Sequence, residues 1–237
     1  MIILGLDALD FEMVKKFNCE NLMQTSYGKT DISDFNAERT VVLWASFLTG
    51  INMEKEIPIK GQWKFKLPME KTFFRFFNTF KAIDVPAFCM KQNNHEIERK
   101  LLAGFFKEEN TVDEYDRVVW KNHEENKKEF LEEIGRSDIL MGYFDLADAI
   151  GHLSFGIEEK MKRVYEELNE LAGIVIKNYD GTVLIISDHG MKAVGRFGDH
   201  TKNGFFSFNE KIALTNPKIV DFFDIIKSKG EEGVTKD

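Results

Sequence analysis

Val183-Leu-Ile-Ile-Ser187-Asp188-His189-Gly190-Met191 is the stretch whose reading decides the fold. Four consecutive apolar residues, three of them β-branched, read as a strand buried on both faces, as in a parallel sheet covered by helices. Asp188 and His189 then stand at its carboxyl end. A carboxylate beside an imidazole on a rigid edge offers ligand types that suit a divalent transition metal. Alone, the pair serves equally well as a turn or helix cap. Its meaning depends on what else the chain brings to that edge.

Working outward, Ile2 to Leu6 is a second short apolar run and ends at Asp7, and Ile139 to Leu146 is a third, followed by Asp148. Helices are expected from about Phe11 to Phe17, Glu96 to Lys107, Val112 to Ile134 and Lys218 to Lys227. The clearest runs from Gly156 to Tyr179, where Met161, Val164, Leu168, Leu171 and Val175 recur at three- and four-residue steps. Thr40 to Gly50 places Leu43, Phe47 and Leu48 on one helical face and stops at glycine, with Thr40 just before or at the first turn. Ala82 to Met90 reads as a strand whose Pro86 suits an edge, and Phe205 to Phe208 as a late strand. Gly190 to Gly204 reads as a glycine-rich loop, and the polar tail from Gly230 as frayed.

Strands alternating with helices give an α/β class with a mostly parallel central sheet flanked by helices on both faces. We read residues 1–237 as a single domain, with approximately 56–135 as a small cap or insert region within it. Ligands of such sheets collect beyond the carboxyl ends of the strands. Asp7, Asp148 and the Asp188-His189 pair all fall there.

Composition narrows the function classes. The 237 residues are 43% hydrophobic and 30% charged, as expected of a globular domain, and the formal net charge is −8. That balance disfavours stable nucleic acid binding and attraction to anionic membranes. The Lys and Arg residues between Lys60 and Lys81, interleaved with Phe, form a local basic patch, for which an exposed helix face is the alternative. Cys19 and Cys89 do not make a disulfide framework. No apolar run approaches the roughly 20 residues of a membrane span. Met1 to Leu6 lacks the basic start and length of a signal segment, so the expectation is a cytoplasmic protein without membrane contact.

Three of the five histidines complete the pattern. Asp148-Ala-Ile-Gly151-His152 has a spacing of four, which puts both side chains on one face if the segment is helical. Its glycine allows a close backbone approach to a ligand. His200 lies in Gly198-Asp-His200-Thr-Lys-Asn-Gly204. Singly, Asp7 is as readily a helix cap, Asp148 and His152 a surface pair, and His200 an exposed loop residue. Jointly, and in this order, they argue for a metal site. His95 and His123 lie in charged helical stretches and receive no role.

Together these segments resemble the type I phosphodiesterase and nucleotide pyrophosphatase family of the alkaline phosphatase superfamily. Thr40-Val-Val-Leu-Trp-Ala-Ser-Phe-Leu-Thr49-Gly50 matches its nucleophile segment. Asp148 to His152 matches its Asp-x-x-Gly-His motif, Ser187 to Met191 its Ser-Asp-His-Gly-Met motif, Asp7 its N-terminal aspartate and His200 its late histidine. The resemblance implies two divalent metal ions, zinc or manganese. Asp148, His152 and His200 would hold one; Asp7, Asp188 and His189 would hold the other, with Thr40 bridging toward it. It implies a hydrolase acting on phosphodiester or phosphoanhydride bonds through a threonyl-phosphoryl intermediate, with a nucleotide or other small phosphodiester as substrate. Two metals roughly 4 Å apart suit in-line displacement at phosphorus.

Departures from the family pattern bear on the substrate. Val42 stands where family members carry Pro, and Lys60-Gly61-Gln62 lies where a phosphate-binding Asn is expected, so Lys60 and Gln62 are candidate replacements. Trp44 and Trp63 are candidates for stacking on a base, although most such residues fill cores. Rival readings are a phosphomonoesterase or phosphonate hydrolase of the same superfamily, and a catalytically idle metal-binding domain.

Overall fold

Alternating side chains of the central strands face two separate cores. In the computed structural model, which describes residues 1–234, Ile2, Leu4 and Leu6 of β1 (Ile2–Leu6) join one apolar cluster, while Ile3 joins the other. β4 (Ile139–Phe144) and β5 (Val183–Ile186) divide likewise. This two-sided burial is why these strands read as unbroken apolar runs.

The first cluster is covered by α1 (Phe11–Lys16), α4 (Val112–Glu132), α5 (Leu146–Ser154) and α6 (Glu158–Asn178). The second is covered by α2 (Thr40–Thr49) and α7 (Phe222–Val234). The helix α3 (Gln92–Phe105) packs beside α4.

The main sheet has six strands in the order β2-β8-β5-β1-β4-β3, where β2 is Ser26–Asp31, β3 is Phe80–Ile83 and β8 is Asn203–Phe208. The pairings β5-β1, β1-β4 and β4-β3 are parallel, and β8 runs antiparallel to both β5 and β2. The α/β class with a mostly parallel, helix-flanked sheet is thus the observed one. A separate two-stranded ribbon pairs β6 (Gly190–Val194) with β7 (Phe197–Thr201).

Several local expectations need correction. The strand expected over Ala82 to Met90 ends at Ile83, because Asp84 and Ala87 take positive φ around Pro86 and turn the chain away from the sheet. The strand expected to reach Leu146 ends at Phe144, and after Asp145 the chain enters α5, a separate helix before the one expected from Gly156 to Tyr179, which is α6. Gly190 to Gly204 is not a loop but the β6-β7 ribbon and the start of β8. The edge strand β2, with its polar sequence, carried no apolar signal. A 3-10 turn (Ile219–Asp221) precedes α7, which continues past Gly230; residues 235–237 lie outside the described residues.

Within residues 56–135 the chain forms three 3-10 turns (Gln62–Lys64, Met69–Lys71 and Phe73–Phe76), then β3, α3 and α4. Phe73 and Phe74 are buried against Phe47 and Phe88, so the aromatic residues of the basic stretch serve the core.

Gly5 in β1 shows how tightly the second core closes. A Cβ there would stand 2.7 Å from Trp44 Cη2, and Trp44 is itself fully buried between Phe47 and Tyr143. Overfilling a closed core costs about 1–3 kcal/mol. Gly5→Val is therefore expected to lower the denaturant midpoint by that order. A midpoint equal to wild type would show that Trp44 can yield.

Candidate active site

The carboxyl ends of β1 and β5 lie side by side, with Asp7 one residue beyond the first and Asp188 two beyond the second. Asp10, not Asp7, caps α1: its Oδ1 accepts from Met13 N at 3.0 Å. Asp7 is thereby left over, fully buried, its Oδ2 accepting from the Tyr143 hydroxyl at 2.5 Å. Ser187 ties the two strand ends together. Its hydroxyl donates to His189 O at 2.6 Å and accepts from Leu9 N at 2.9 Å.

Asp7, Asp188 and His189 converge, with one ligand atom from each inside 4.8 Å of the others. His189 Nε2 is 3.3 Å from Asp7 Oδ1 and 3.5 Å from Asp188 Oδ2. All three residues are 0% exposed, and Asp7 Oδ1, both Asp188 carboxylate oxygens and His189 Nε2 have no hydrogen-bond partner. Four orphaned ligand-type atoms in one buried spot depart from the rule that buried polar groups are paired. A divalent cation would satisfy them all, so the donor set fits the metal that the sequence implies.

The remaining ligands arrive from the next elements. Asp148 and His152 share a face of α5, and the β6-β7 ribbon brings in His200. Met191 seats the ribbon on α5. A Cβ on Gly151 would lie 2.5 Å from Met191 Sδ, and one on Gly198 would lie 2.2 Å from it. The glycine of Asp148-Ala-Ile-Gly151-His152 thus admits Met191. His200 pairs with Met191 across the ribbon, and its ring stacks on His189 with centroids 3.9 Å apart.

Asp148 faces both histidines, with Oδ1 3.1 Å from His200 Nε2 and Oδ2 3.2 Å from His152 Nε2. His200 Nδ1 lies 3.3 Å from Glu38 O. Asp148, His189 and His200 form a second convergence within 4.8 Å. His189 therefore stands between the two groups.

A cavity of about 350 Å³ opens over this edge, walled by Thr40, Asp148, His152, His200, Trp63 and Arg99 among others. Thr40 is the first residue of α2, where the leading backbone N–H groups lack intrahelical partners. Arg39 precedes it, anchored to Ile57 O and Glu54 O at 3.0 and 3.3 Å.

The expected substrate contacts divide. Trp44 is corrected: it is buried in the second core, because the apolar face of α2 turns it inward, and it cannot stack on a ligand. Lys60 is exposed and is not part of the cavity wall. Gln62 and Trp63 do line the cavity. Residues the sequence did not reveal also line it: Arg99, whose guanidinium lies 4.3 Å above the Trp63 ring, and His95, Glu98, Tyr115, Tyr143 and Asp145. The spacing of His95 and Glu98, three apart on one helix face, was the available signal.

The family model described as type I phosphodiesterase / nucleotide pyrophosphatase matches residues 55–216, more than half of the chain. The chain belongs to that family. The matched span holds Asp148, His152, Asp188, His189 and His200, while Asp7 and Thr40 precede it.

Among solved structures, murine ectonucleotide pyrophosphatase / phosphodiesterase 5 matches with a TM-score of 0.50 at 12% identity, over 83% of this chain and 58% of the murine one. A second structure of that murine protein, an inactive variant in complex with AMP, matches with a TM-score of 0.48 at 11% identity over the same shares. The chain thus spans little more than half the length of these neighbours, and at such identity the likeness concerns the fold. No curated protein matches the chain. No described helix is long and apolar enough to cross a membrane.

Electrostatics mark the same spot. Burial pushes Asp7 up to about 7, with Asp148 adding to it. Burial and the Asp7 charge hold Asp188 well above the carboxylate range. Burial, helped by His200, pulls His189 down to about 3. Burial opposes charge on His200 as well, but the Asp148 carboxylate overcomes it and lifts His200 to about 9. Against its own burial, Asp148 is held well below its ordinary value by His152 and His200.

These shifts fix a pH dependence. On folding, Asp7 moves up from 3.8 to about 7 and His189 down from 6.5 to about 3, so their proton uptake and release nearly cancel. His200 rises from 6.5 to about 9, so between those values the folded state holds a proton that the unfolded chain has lost. Stability then falls as pH rises through that window, and Asp188 acts in the same direction. Chelator-treated protein should lose melting temperature from pH 6.5 to pH 9. Asp188→Asn should melt higher than wild type at the upper end. A flat or rising profile would contradict this charge distribution.

Proposed function

We propose that this protein is a metal-dependent phosphodiesterase or nucleotide pyrophosphatase that cleaves a small phosphodiester or phosphoanhydride, with Thr40 as nucleophile. The observation that carries the reading is the set of orphaned buried atoms on Asp7, Asp188 and His189, set beside Asp148 and His200, which with Thr40 line a cavity. Membership of the family gives the reaction class its support.

Asp148, His152 and His200 would hold one divalent ion, and Asp7, Asp188 and His189 the other, Thr40 facing the second. When bound, zinc or manganese ions supply the positive charge that favours the Thr40 alkoxide and neutralises phosphoryl oxygens. The protein's own groups do the rest. Ser187 fixes the His189 backbone, and Tyr143 holds one oxygen of Asp7. Thr40 begins α2 at the cavity wall, where a phosphoryl oxygen would accept from the leading N–H groups that lack intrahelical partners.

Thr40 Oγ then forms a bond to phosphorus while the bond to the leaving oxygen breaks, giving an alcohol or a phosphate-containing fragment. Water hydrolyses the threonyl ester in a second displacement, which returns the Thr40 hydroxyl. Arg99, stiffened by stacking on Trp63, supplies countercharge to a second anionic group of the substrate. Gln62 Oε1, buried and without a partner, accepts from a substrate hydroxyl or base amine.

The test compares bis(p-nitrophenyl) phosphate with p-nitrophenyl phosphate, using metal-stripped protein restored with zinc or manganese. Metal-dependent preference for the diester is expected. Preference for the monoester would move the protein to the phosphatase branch, and metal uptake without turnover on any phosphoester would make it an idle metal-binding domain. Thr40→Ala should retain its metals and lose turnover by about a thousandfold or more. Near-wild-type turnover in that variant would remove Thr40 from the nucleophile role.

A further inference from the structure

The two buried carboxylates at the ends of β1 and β5 are not equivalent. Asp7 Oδ2 accepts from the Tyr143 hydroxyl at 2.5 Å, whereas Asp7 Oδ1 has no hydrogen-bond partner and lies 3.3 Å from His189 Nε2. Both oxygens of Asp188 are without partners. Asp188 thus has two uncommitted oxygens for a cation, and Asp7 has one.

This asymmetry originates in the second core. Tyr143 stands on β4 opposite Gly5 of β1, and its side chain belongs to the second apolar cluster while also lining the cavity. Its ring meets the Trp44 ring edge-on at 5.5 Å and the His95 ring at 6.1 Å. Trp44 in turn packs edge-on against Phe47 at 5.7 Å and fills the space over Gly5. A ring packed this closely cannot swing away, so its hydroxyl stays on Asp7. Asp7 is fixed as well, because its N–H donates to the carbonyl of Phe144, the residue after Tyr143.

We propose that Tyr143 is a positioning residue for the metal held by Asp7, Asp188 and His189. Its hydroxyl competes with the cation for Asp7 Oδ2 and limits Asp7 to coordination through Oδ1; the proposal rests on the two-metal reading given above. The consequence is selectivity. An Asp7 oxygen, Asp188 and a His189 nitrogen make three protein ligands, and Thr40 or water makes a fourth, the number that zinc favours. Manganese favours an octahedral set of oxygen ligands, which a second Asp7 oxygen would help to complete. The Tyr143 hydroxyl therefore favours zinc over manganese at this position. It has no such effect at Asp148, His152 and His200, to which it is not bonded.

The test is a set of affinities. Metal-stripped wild type, Tyr143→Phe and Asp188→Asn are titrated with Zn2+, and separately with Mn2+, by isothermal titration calorimetry. Wild type is expected to take up two zinc ions per chain, and Asp188→Asn to lose or weaken one of them. In Tyr143→Phe one zinc affinity should fall by about 10–100-fold, the usual effect of removing a group that orients a metal ligand, while the other stays unchanged. Manganese affinity at the weakened position should fall less than zinc affinity, or rise. Circular dichroism melts verify folding, and Tyr143→Met, which also lacks the donor, replaces a Phe variant that does not fold. Unchanged zinc affinities in Tyr143→Phe, equal losses at both positions, or equal losses for zinc and manganese would overturn the positioning role, while weakened zinc binding in Asp188→Asn would keep the two-metal reading standing. Wild type without bound zinc, or Asp188→Asn with wild-type zinc content and affinities, would overturn the two-metal reading and the positioning role together.

Discussion

Two carboxylates without cationic partners, Asp7 and Asp188, sit fully buried at the ends of adjacent parallel strands. The rest of the site is organised around this constraint. Burying an unpaired carboxylate is costly, and the energy is lost as instability unless the group stays protonated or a cation binds. The fold accepts the cost by making the surroundings rigid. Asp7 N donates to Phe144 O at 3.0 Å, the Tyr143 hydroxyl holds Asp7 Oδ2, and Ser187 bridges the turns after β1 and β5. A site whose groups repel in isolation and are complementary to a cation is pre-organised for that cation, the usual compromise between stability and function.

Parallel pairing of β1 with β4 and β5 also determines where everything else arrives. All three strands end on the same edge, so α5 starts beside Asp7, and β5 leads directly into Asp188 and His189. The β6-β7 ribbon then has one way to seat, with Met191 packed against Gly151 and Gly198. That contact converts two glycines and a methionine, none of them polar, into the means by which His200 reaches Asp148.

The outer half of the cavity has a different origin. It is built by the 3-10 turn at Gln62–Lys64, by α3 and by α4, which supply Trp63, Arg99, His95, Glu98 and Tyr115. The pattern departs from the family in this region, where Lys60-Gly61-Gln62 stands in place of the expected asparagine. The chain matches its structural neighbour over only 58% of that neighbour's length.

The sequence by itself determined the α/β class, the strands carrying Asp7 and Asp188-His189, the helix start at Thr40 and the family. Each rests on local signals: unbroken apolar runs, a glycine stop, and short motifs of fixed spacing. It misjudged the strand at Ala82 to Met90 and the ribbon after Gly190, where positive-φ turns and cross-strand pairing outweigh local composition. It offered Trp44 for stacking because proximity to Thr40 in sequence does not tell which side of α2 meets the core. Only the tertiary structure decided that Asp10 caps α1 and frees Asp7, that Met191 docks His200 onto Asp148, and that His95, Glu98 and Asp145 face the same cavity. Those outcomes depend on contacts between residues far apart in the chain, and such contacts leave no periodic trace in the sequence.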